Sequence, residues 1–190
     1  YNRHGIGKEP YGNMAILFRT NSQSRVLEEK LMRYAIPYTM VGGTKFYDRK
    51  EIKDVIAYLR LLYNPEDSLS LTRIINVPKR NIGATTLEHL ADYAEEQGIS
   101  LFEALSSTEE LPVTKRAKAA LEDFSVTIFE LLNHVDEWNV QQMMEEVLKQ
   151  TGYGAMLDKD AEHDPQGESR KENVGEFLSV AKDYVDSNPD

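Results

Sequence analysis

A short basic turn between two predicted helices contains the residues best suited to bind a ligand. This turn, residues 77–86, reads Val-Pro-Lys-Arg-Asn-Ile-Gly-Ala-Thr-Thr. Pro78 ends the helix before it, and Asn81 and Gly83 can adopt the positive φ that a tight turn needs. The following helix begins with exposed backbone amides, which together with the helix dipole favour an anion.

Side chains of the same turn add positive charge and hydroxyl donors. Lys79 and Arg80 supply the two charges, and Thr85 and Thr86 supply the hydroxyl groups. The pattern predicts a site that holds one DNA phosphate without reading any base. The alternative is an ordinary helix–helix turn in which the Lys-Arg pair faces water.

A second polar run follows the apolar residues 14–19, which are predicted to form a buried strand. Its long or polar donors, suited to phosphate and sugar oxygens, are Arg19, Asn21, Gln23 and Arg25. Ligands often bind at the carboxyl ends of strands in open α/β sheets. The alternative is a plain capping segment, with Asn21 or Ser22 as the N-cap of the next helix.

A third run, residues 42–49, combines glycines, aromatics and cations. Gly42 and Gly43 allow close backbone approach, and Phe46 and Tyr47 can stack on bases. The flanking cations are Lys45 and Arg49. The alternative, which general burial preferences favour, is that the two aromatics pack in a seam between domains.

Enzyme signatures are missing from the sequence. It has no Gly-Lys-Ser or Gly-Lys-Thr phosphate loop, no Gly-x-Ser-x-Gly elbow and no His-Glu-x-x-His pair. Glu162, His163 and Asp164 could bind a metal weakly, but a solvated acidic loop explains them better. Zero Cys excludes disulfides, Cys-ligated zinc, iron–sulfur clusters and a thiol nucleophile. We expect no catalysis and no cofactor in this segment alone.

The net charge of −10 hides a division along the chain. Residues 1–80 carry 14 Lys or Arg and 8 Asp or Glu, a net charge of +6, whereas residues 81–190 carry 8 and 24, a net charge of −16. This asymmetry indicates a polyanion partner for the first part, or simply a solvated basic face. No apolar run approaches the about 20 residues of a membrane span. The missing initiator Met suggests a segment of a longer protein.

Residues 14–41 predict a strand–helix–strand unit with parallel strands. The predicted strands are residues 14–19 and 36–41, and the helix between them has Glu28, Glu29, Lys30 and Arg33 on its outer face. Its inward positions are Val26, Leu27, Leu31 and Met32. Because two strands are too few for a stable parallel sheet, the unit reads as a fragment of a larger α/β domain.

From Asp48 onward the apolar residues recur with a helical period. Helices are predicted over residues 48–63, 69–77, 84–97, 100–105, 113–135, 140–150 and from about 170 to 187, with residues 113–135 as the longest. Residues 158–169 are predicted to be a polar loop. The predicted fold class is mainly α, with a helical accessory domain after the small α/β fragment.

The three polar runs, in this order and spacing, resemble superfamily 1 DNA helicases of the UvrD, Rep and PcrA type. Residues 15–29 look like one helicase motif, and residues 42–54, Gly-Gly-x-x-Phe-x-x-Arg-x-Glu-Ile-Lys-Asp, look like the next. Residues 76–83, Asn-Val-Pro-Lys-Arg-Asn-Ile-Gly, look like the duplex-binding turn. That turn usually reads Gly-Ile-Gly, whereas this chain has Asn81 at the first Gly.

The resemblance implies a parent that is an ATP-dependent DNA helicase with 3′-to-5′ polarity, using ATP and Mg²⁺ outside this chain. Residues 1–43 would be the edge of its second RecA-like motor domain, 2A. Residues 44–190 would be the accessory subdomain, 2B, which rotates as a rigid body and so regulates unwinding. Gly42-Gly43 and the loop 158–169 are the expected hinges.

The resemblance also implies two sets of binding residues. The duplex-binding set is Lys79, Arg80, Asn81, Ile82, Gly83, Thr85 and Thr86. The helicase-motif set, on the single-strand side, is Arg19, Asn21, Gln23, Ser24, Arg25, Gly42, Gly43, Phe46 and Arg49. Expected partners are duplex DNA and its single-strand junction, other domains of the same helicase, and repair or replication proteins, in a bacterial cytoplasm with no membrane contact. The alternative function is a protein-interaction or autoinhibitory module that uses the acidic helical half.

Overall fold

A computed structural model describes residues 10–20 and 23–189 of the chain. The chain forms two compact units, Tyr1–Arg49 and Lys50–Asp190. Nine α-helices and no β-strand occur in the described residues, which confirms the mainly α class. The units divide after Arg49, whereas the sequence placed the domain boundary after Gly43. The assignment of residues 1–43 to a motor domain stays a prediction.

The two segments predicted as strands have no β-ladder in the described residues. Residues 14–18 and 36–40 are irregular, so neither the buried strand predicted at 14–19 nor the second strand predicted at 36–41 is formed. Leu17 is 95% exposed and Val41, in the bend after the second segment, is 90% exposed. A strand needs hydrogen bonds to a neighbour, and an apolar run by itself does not supply one.

Helix α1, Ser24–Arg33, buries a polar face. Ser24 and Glu28 are its buried residues, whereas Val26 and Met32 are about half exposed. The prediction that Glu28 faces outward was therefore wrong. The reason is that its carboxylate finds donors inside the unit: the Ser24 hydroxyl at 2.7 Å, the Tyr38 hydroxyl at 2.9 Å and the Phe46 amide at 3.1 Å.

The first helices of the second unit follow the predicted periodicity. They are α2, Lys50–Tyr63; α3, Ser68–Ile74; and α4, Ala84–Gln97. Asp67 caps α3 by accepting the Ser70 amide at 3.0 Å. Gly98 ends α4 in the left-handed conformation, with φ of 66°, which glycine adopts without a steric penalty.

Three further helices also lie where they were predicted, and side-chain caps define their starts. They are α5, Leu101–Ala104, which a 3-10 helix over Leu105–Glu110 follows; α6, Lys115–Leu132; and α7, Val140–Gln150. Ser100 and Asn139 form capping boxes, and Thr114 accepts the Ala117 amide. Such caps satisfy amides that the helix itself leaves without acceptors.

The predicted polar loop, residues 158–169, is helical apart from Asp164. Helix α8 covers Tyr153–His163 and α9 covers Pro165–Ser187. Asp164 joins them and caps α9 by accepting the Gln166 amide at 2.9 Å, while Pro165 occupies the first helical position, where its missing amide costs nothing. With 23 residues, α9 exceeds the 18 of α6, so the prediction of the longest helix was also wrong.

Helix α2 lies at the centre of the second unit and packs against α3, α6, α7 and α9. The fully buried core side chains include Ile52, Val55, Leu61, Leu71, Ile74, Leu90, Leu121 and Ile128. Buried carboxylates on α2 are paired: Asp54 accepts from Arg73 at 2.8 Å, and Glu51 accepts from Asn173 at 2.7 Å. Over the described residues, no helix combines the length and the apolar composition that a membrane crossing requires.

Candidate nucleic-acid interface

The side chain of Asn76 organises the basic turn. Its Oδ1 accepts the backbone amides of Arg80 at 2.7 Å and Ile82 at 3.3 Å. One side chain thus replaces two backbone acceptors and closes the loop between α3 and α4. This role of Asn76 was not predicted from the sequence, where Asn76 is one residue of the motif 76–83. The available signal was its type, since Asn side chains readily accept amides a few residues away.

Asn81 and Gly83 have different backbone conformations and different roles in the turn. Asn81 has φ of 63°, in the left-handed region, as predicted. Gly83 has φ of −87° and ψ of 172°, so the prediction of a positive φ there was wrong. Gly83 instead acts as the N-cap of α4, and its carbonyl accepts the Thr86 amide at 3.1 Å.

The start of α4 has the character of an anion site. Gly83, Ala84 and Thr85 are exposed, and no side chain caps this helix end. The first amides of a helix have no acceptor within the helix, and they lie at its positive end. Thr86 is half-buried in the same first turn. The Ala84 and Thr85 amides are therefore the free donors of this helix start, since the Thr86 amide donates to the Gly83 carbonyl.

Lys79 and Ile82, both in the turn, differ in their exposure to solvent. Lys79 is exposed, and the described part of the chain gives it no ion-pair partner. Ile82 is only 1% exposed, so its side chain anchors the turn in the core and cannot contact DNA. The turn thus presents one exposed cation a few residues before an exposed helix start.

The guanidinium of Arg80 points inward. Its Nη1 donates to the carbonyl oxygens of Ile74, Ile75 and Pro78, and its Nη2 donates to the Tyr58 hydroxyl and the Thr151 carbonyl. The Tyr58 hydroxyl in turn donates to the Val77 carbonyl. Burial raises the pKa of Tyr58, which keeps this hydroxyl neutral and able to donate.

Most donors of the run around α1 are used within the first unit. Gln23 is the N-cap residue of α1, and its Oε1 accepts the Arg19 amide at 3.0 Å. Ser24 is buried, and Arg25 pairs with Glu29 at 3.1 Å. Arg19 is exposed, whereas Asn21 lies outside the described residues, so its predicted contact is not described.

The aromatics of the third run are packed rather than available for stacking. Phe46 is fully buried, and Tyr47 meets it edge-on at 5.1 Å. The Arg49 guanidinium lies 5.1 Å from the centre of the Phe46 ring and donates to the Ser24 hydroxyl at 2.7 Å. These contacts all lie within the first unit, so the predicted seam between domains stays a prediction. Gly42 and Gly43 are exposed, and Gly42 has φ of 80°.

Metal binding finds no support in the described residues. They contain no group of three His, Asp or Glu side chains placed to hold an ion. In the acidic segment, His163 ends α8, and its Nδ1 lies 2.8 Å from the Lys159 carbonyl. The weak metal site at Glu162, His163 and Asp164 is therefore not formed.

Comparison with known protein families identifies the chain. The family described as "UvrD-like helicase C-terminal domain" matches residues 2–190. The chain belongs to this family. The helicase resemblance carried by the three runs is thereby confirmed at the level of the family, while its finer assignment to subdomain 2B is not decided by this match.

Curated relatives within the family are similar over nearly the whole chain. The chain is 48% identical over 187 residues to the ATP-dependent DNA helicase PcrA of Bacillus subtilis (strain 168). It is 46% identical to the protein of the same name from Staphylococcus epidermidis (strain RP62A) and 44% identical to that from Staphylococcus aureus (strain Mu50). Each match covers 98% of the chain but 25% of the relative, so the chain spans about a quarter of their length.

Proposed function

We propose that this chain is the DNA-binding and regulatory part of an ATP-dependent 3′-to-5′ DNA helicase. Residues 1–43 would be an edge of motor domain 2A, and residues 44–190 would be accessory subdomain 2B. Membership of the UvrD-like family and the similarity to proteins named ATP-dependent DNA helicase support this proposal. The expected partners are duplex DNA at a single-strand junction and the remaining helicase domains.

The single observation that carries the proposal is the geometry of the turn before α4. The exposed helix start, Lys79 beside it and the hydroxyl groups of Thr85 and Thr86 lie within one stretch of ten residues, 77–86. This set can bind a phosphate by amides, hydroxyls and one charge, and phosphate contacts carry no sequence information. Sequence-independent duplex binding is the corresponding function.

ATP hydrolysis would be carried out by other parts of the parent protein. The residues of this chain do not fit ATP and Mg²⁺: the sequence has no Gly-Lys-Ser or Gly-Lys-Thr loop, and the described residues offer no acidic cluster for the ion. We therefore derive no catalytic step for this segment. Its contribution would be to hold the duplex while the motor moves along one strand.

Rigid-body rotation of the helical unit would couple duplex binding to unwinding. Of the two expected hinges, Gly42-Gly43 retains its basis, because Gly42 is exposed and has a positive φ. The segment 158–169 is no longer supported as a hinge, because it belongs to helices α8 and α9 apart from Asp164. Of the two, only Gly42-Gly43 is proposed as a hinge, and because it lies within the first unit, rotation there would have to break the bonds from the Phe46 amide to Glu28 and from Arg49 to Ser24.

A protein-interaction module is the second candidate function, and the outer face of α6 favours it. Val126 and Phe129 are 56% and 43% exposed there, beside the exposed carboxylates of Glu122 and Glu130. Apolar groups ringed by acids suit a basic partner segment. Under this alternative the acidic half would dock a protein, and DNA would lie only nearby.

Fluorescence anisotropy with a labelled DNA hairpin carrying a single-stranded tail tests the main proposal. We expect the chain to bind, affinity to fall as salt rises, and Lys79→Glu to weaken binding at every salt concentration. Lys115→Glu makes the same charge change at the exposed start of α6 and should leave affinity nearly unchanged. No binding by the wild type at low salt, or equal effects of the two variants, would overturn the proposal.

A further inference from the structure

Arg80 differs from the other cations of the basic turn because its side chain faces the protein interior. We propose that Arg80 is a positioning residue, which holds the turn in its phosphate-binding conformation and does not itself contact phosphate. This inference rests on the proposed function. It replaces the expectation that Lys79 and Arg80 act as a pair of phosphate ligands.

The acceptors of Arg80 come from several separate parts of the second unit. Nη1 lies 3.2 Å from the Ile74 carbonyl, 3.3 Å from that of Ile75 and 3.1 Å from that of Pro78. The last carbonyls of a helix have no donor within the helix, and Arg80 supplies donors at the end of α3, where the Ile74 carbonyl also accepts the Val77 amide at 2.9 Å. A cation at this negative helix end is also favourable electrostatically.

The second terminal nitrogen, Nη2, links the turn to residues that are distant in the sequence. It donates to the Tyr58 hydroxyl on α2 at 3.0 Å and to the Thr151 carbonyl after α7 at 3.0 Å. Thr151 is buried and immediately precedes the α8–α9 pair. Arg80 thus fixes the turn relative to α2, α3 and the end of α7 at once.

The environment of the guanidinium selects arginine over lysine. Its central carbon lies 5.2 Å from the centre of the Phe124 ring, and Phe124 is itself buried. Only a flat group with donors on both terminal nitrogens, Nη1 and Nη2, can face a ring and reach carbonyls on two sides. A lysine would keep the charge but would reach one of these acceptor groups at most.

Salt dependence separates a positioning residue from a phosphate ligand. Each phosphate contact that is lost lowers the slope of log affinity against log salt concentration by about one. Because Nη1 and Nη2 both donate to protein oxygens, Arg80 has no pair of free donors with which to bind a phosphate. Lys79, in contrast, is exposed and would contribute to the slope.

The test is a salt series of hairpin-DNA anisotropy on the 190-residue chain. Lys79→Gln should reduce the slope by about one. Arg80→Gln, which removes the charge as Lys79→Gln does, should weaken binding roughly three- to tenfold at all salt concentrations with an unchanged slope, since the loss is that of a charged hydrogen-bond network. A slope that falls by about one in Arg80→Gln would overturn the inference.

Two further measurements keep the inference falsifiable. Tyr58→Phe removes one acceptor of Arg80 without a change in charge, and it should weaken DNA binding with an unchanged slope; unchanged affinity would contradict the inference. Amide exchange tests Arg80 even if no DNA binds, which would defeat the proposed function alone. In Arg80→Lys we expect faster exchange at the Ile82 amide, with the core amide of Leu121 unaffected, and equal effects at both amides would contradict a role specific to the turn.

Discussion

The two compact units are stabilised by different kinds of buried groups. In the first unit α1 turns Ser24 and Glu28 inward and leaves Val26 and Met32 on its surface. In the second unit α2 buries a stripe of apolar side chains that includes Ile52 and the neighbouring helices complete a common core. The first unit thus depends on a few directed hydrogen bonds, and the second depends on packing.

Each unit nevertheless uses one arginine in the same way. Arg49 in the first unit lies over Phe46, and Arg80 in the second lies over Phe124, with similar distances of 5.1 and 5.2 Å to the ring centres. Both arginines were predicted to face DNA, and both donate to protein oxygens instead. The comparison teaches that a basic residue in a binding motif can serve to hold the motif in shape.

A single added methyl group should be most damaging where the second unit packs backbone against backbone. In α9, a Cβ at Gly167 would collide with the Asp160 carbonyl and the Ala161 amide of α8. Because backbone cannot move aside cheaply, we expect Gly167→Ala to lower the free energy of unfolding by about 2–3 kcal/mol. Urea unfolding followed by circular dichroism measures this change.

The matched control lies in the same helix. Gly175 has open space around its Cβ position, so Gly175→Ala should raise the free energy of unfolding by up to about 1 kcal/mol through helix propensity. Equal destabilisation by both substitutions would show that close packing of α8 on α9 is not what matters.

In the first unit, the loss of one charged hydrogen-bond acceptor should also cause a clear loss of stability. In Glu28→Gln the donors from Ser24, Tyr38 and Phe46 face an amide that accepts at one atom only. We expect a cost of about 1–3 kcal/mol, seen as faster hydrogen exchange at the Phe46 amide. Glu66→Gln, at an exposed carboxylate, should leave that exchange rate unchanged.

Alkaline pH should weaken the first unit in a specific window. Burial, with the hydrogen bond and the charge of Glu28, raises the pKa of Tyr38 to about 12. The unfolded chain, whose Tyr pKa is near 10, loses this proton first. The stabilisation is therefore complete below about pH 10 and is lost as pH rises towards 12.

Near-ultraviolet absorbance of the phenolate and unfolding midpoints across this pH window check the prediction. Burial and the hydrogen bond to Glu29 also raise the pKa of Tyr47 to about 12, so Tyr38→Phe should reduce the absorbance step near pH 12 by one tyrosine and should show a smaller alkaline loss of stability. In Glu28→Gln the pKa of Tyr38 should fall towards its ordinary value. An unchanged titration in Glu28→Gln would show that the buried carboxylate does not control this hydroxyl.

The smallest effect is expected when Asn81 in the turn is replaced by glycine. Asn81 has φ of 63°, so Asn81→Gly should change the free energy of unfolding by only a few tenths of a kcal/mol. Asn81→Val, at the same exposed position, should cost about 1–2 kcal/mol because a β-branched residue resists this conformation. Thermal unfolding of the two variants measures the difference. Equal midpoints would show that the left-handed conformation at this position does not limit which residue it accepts.

The helices of the second unit could be predicted from sequence because their apolar residues recur with a helical period. The segment 158–169 could not, since its polar side chains suggest a loop although ion pairs such as Lys171 with Asp158 line the exposed faces of α8 and α9. The strands were predicted from apolar runs alone, and Leu17 shows that such a run can be exposed.

The location of the basic turn and the left-handed conformation of Asn81 were accessible from local residue types. The direction of Arg80 was not accessible, because its acceptor at Thr151 lies 71 residues further along the chain. The buried role of Glu28 was missed for the same reason, since the Phe46 amide reaches it across 18 residues. Local patterns indicate where a turn lies, whereas the partners of its side chains depend on tertiary packing.

The most direct test of the central claim is nuclear magnetic resonance of the isotope-labelled chain during titration with a short DNA duplex. We expect the amide signals of Gly83, Ala84, Thr85 and Thr86 to shift together and saturate, and these shifts to disappear in Lys79→Glu. Shifts confined to other surfaces, such as the outer face of α6, with the α4 start unaffected, would contradict the central claim.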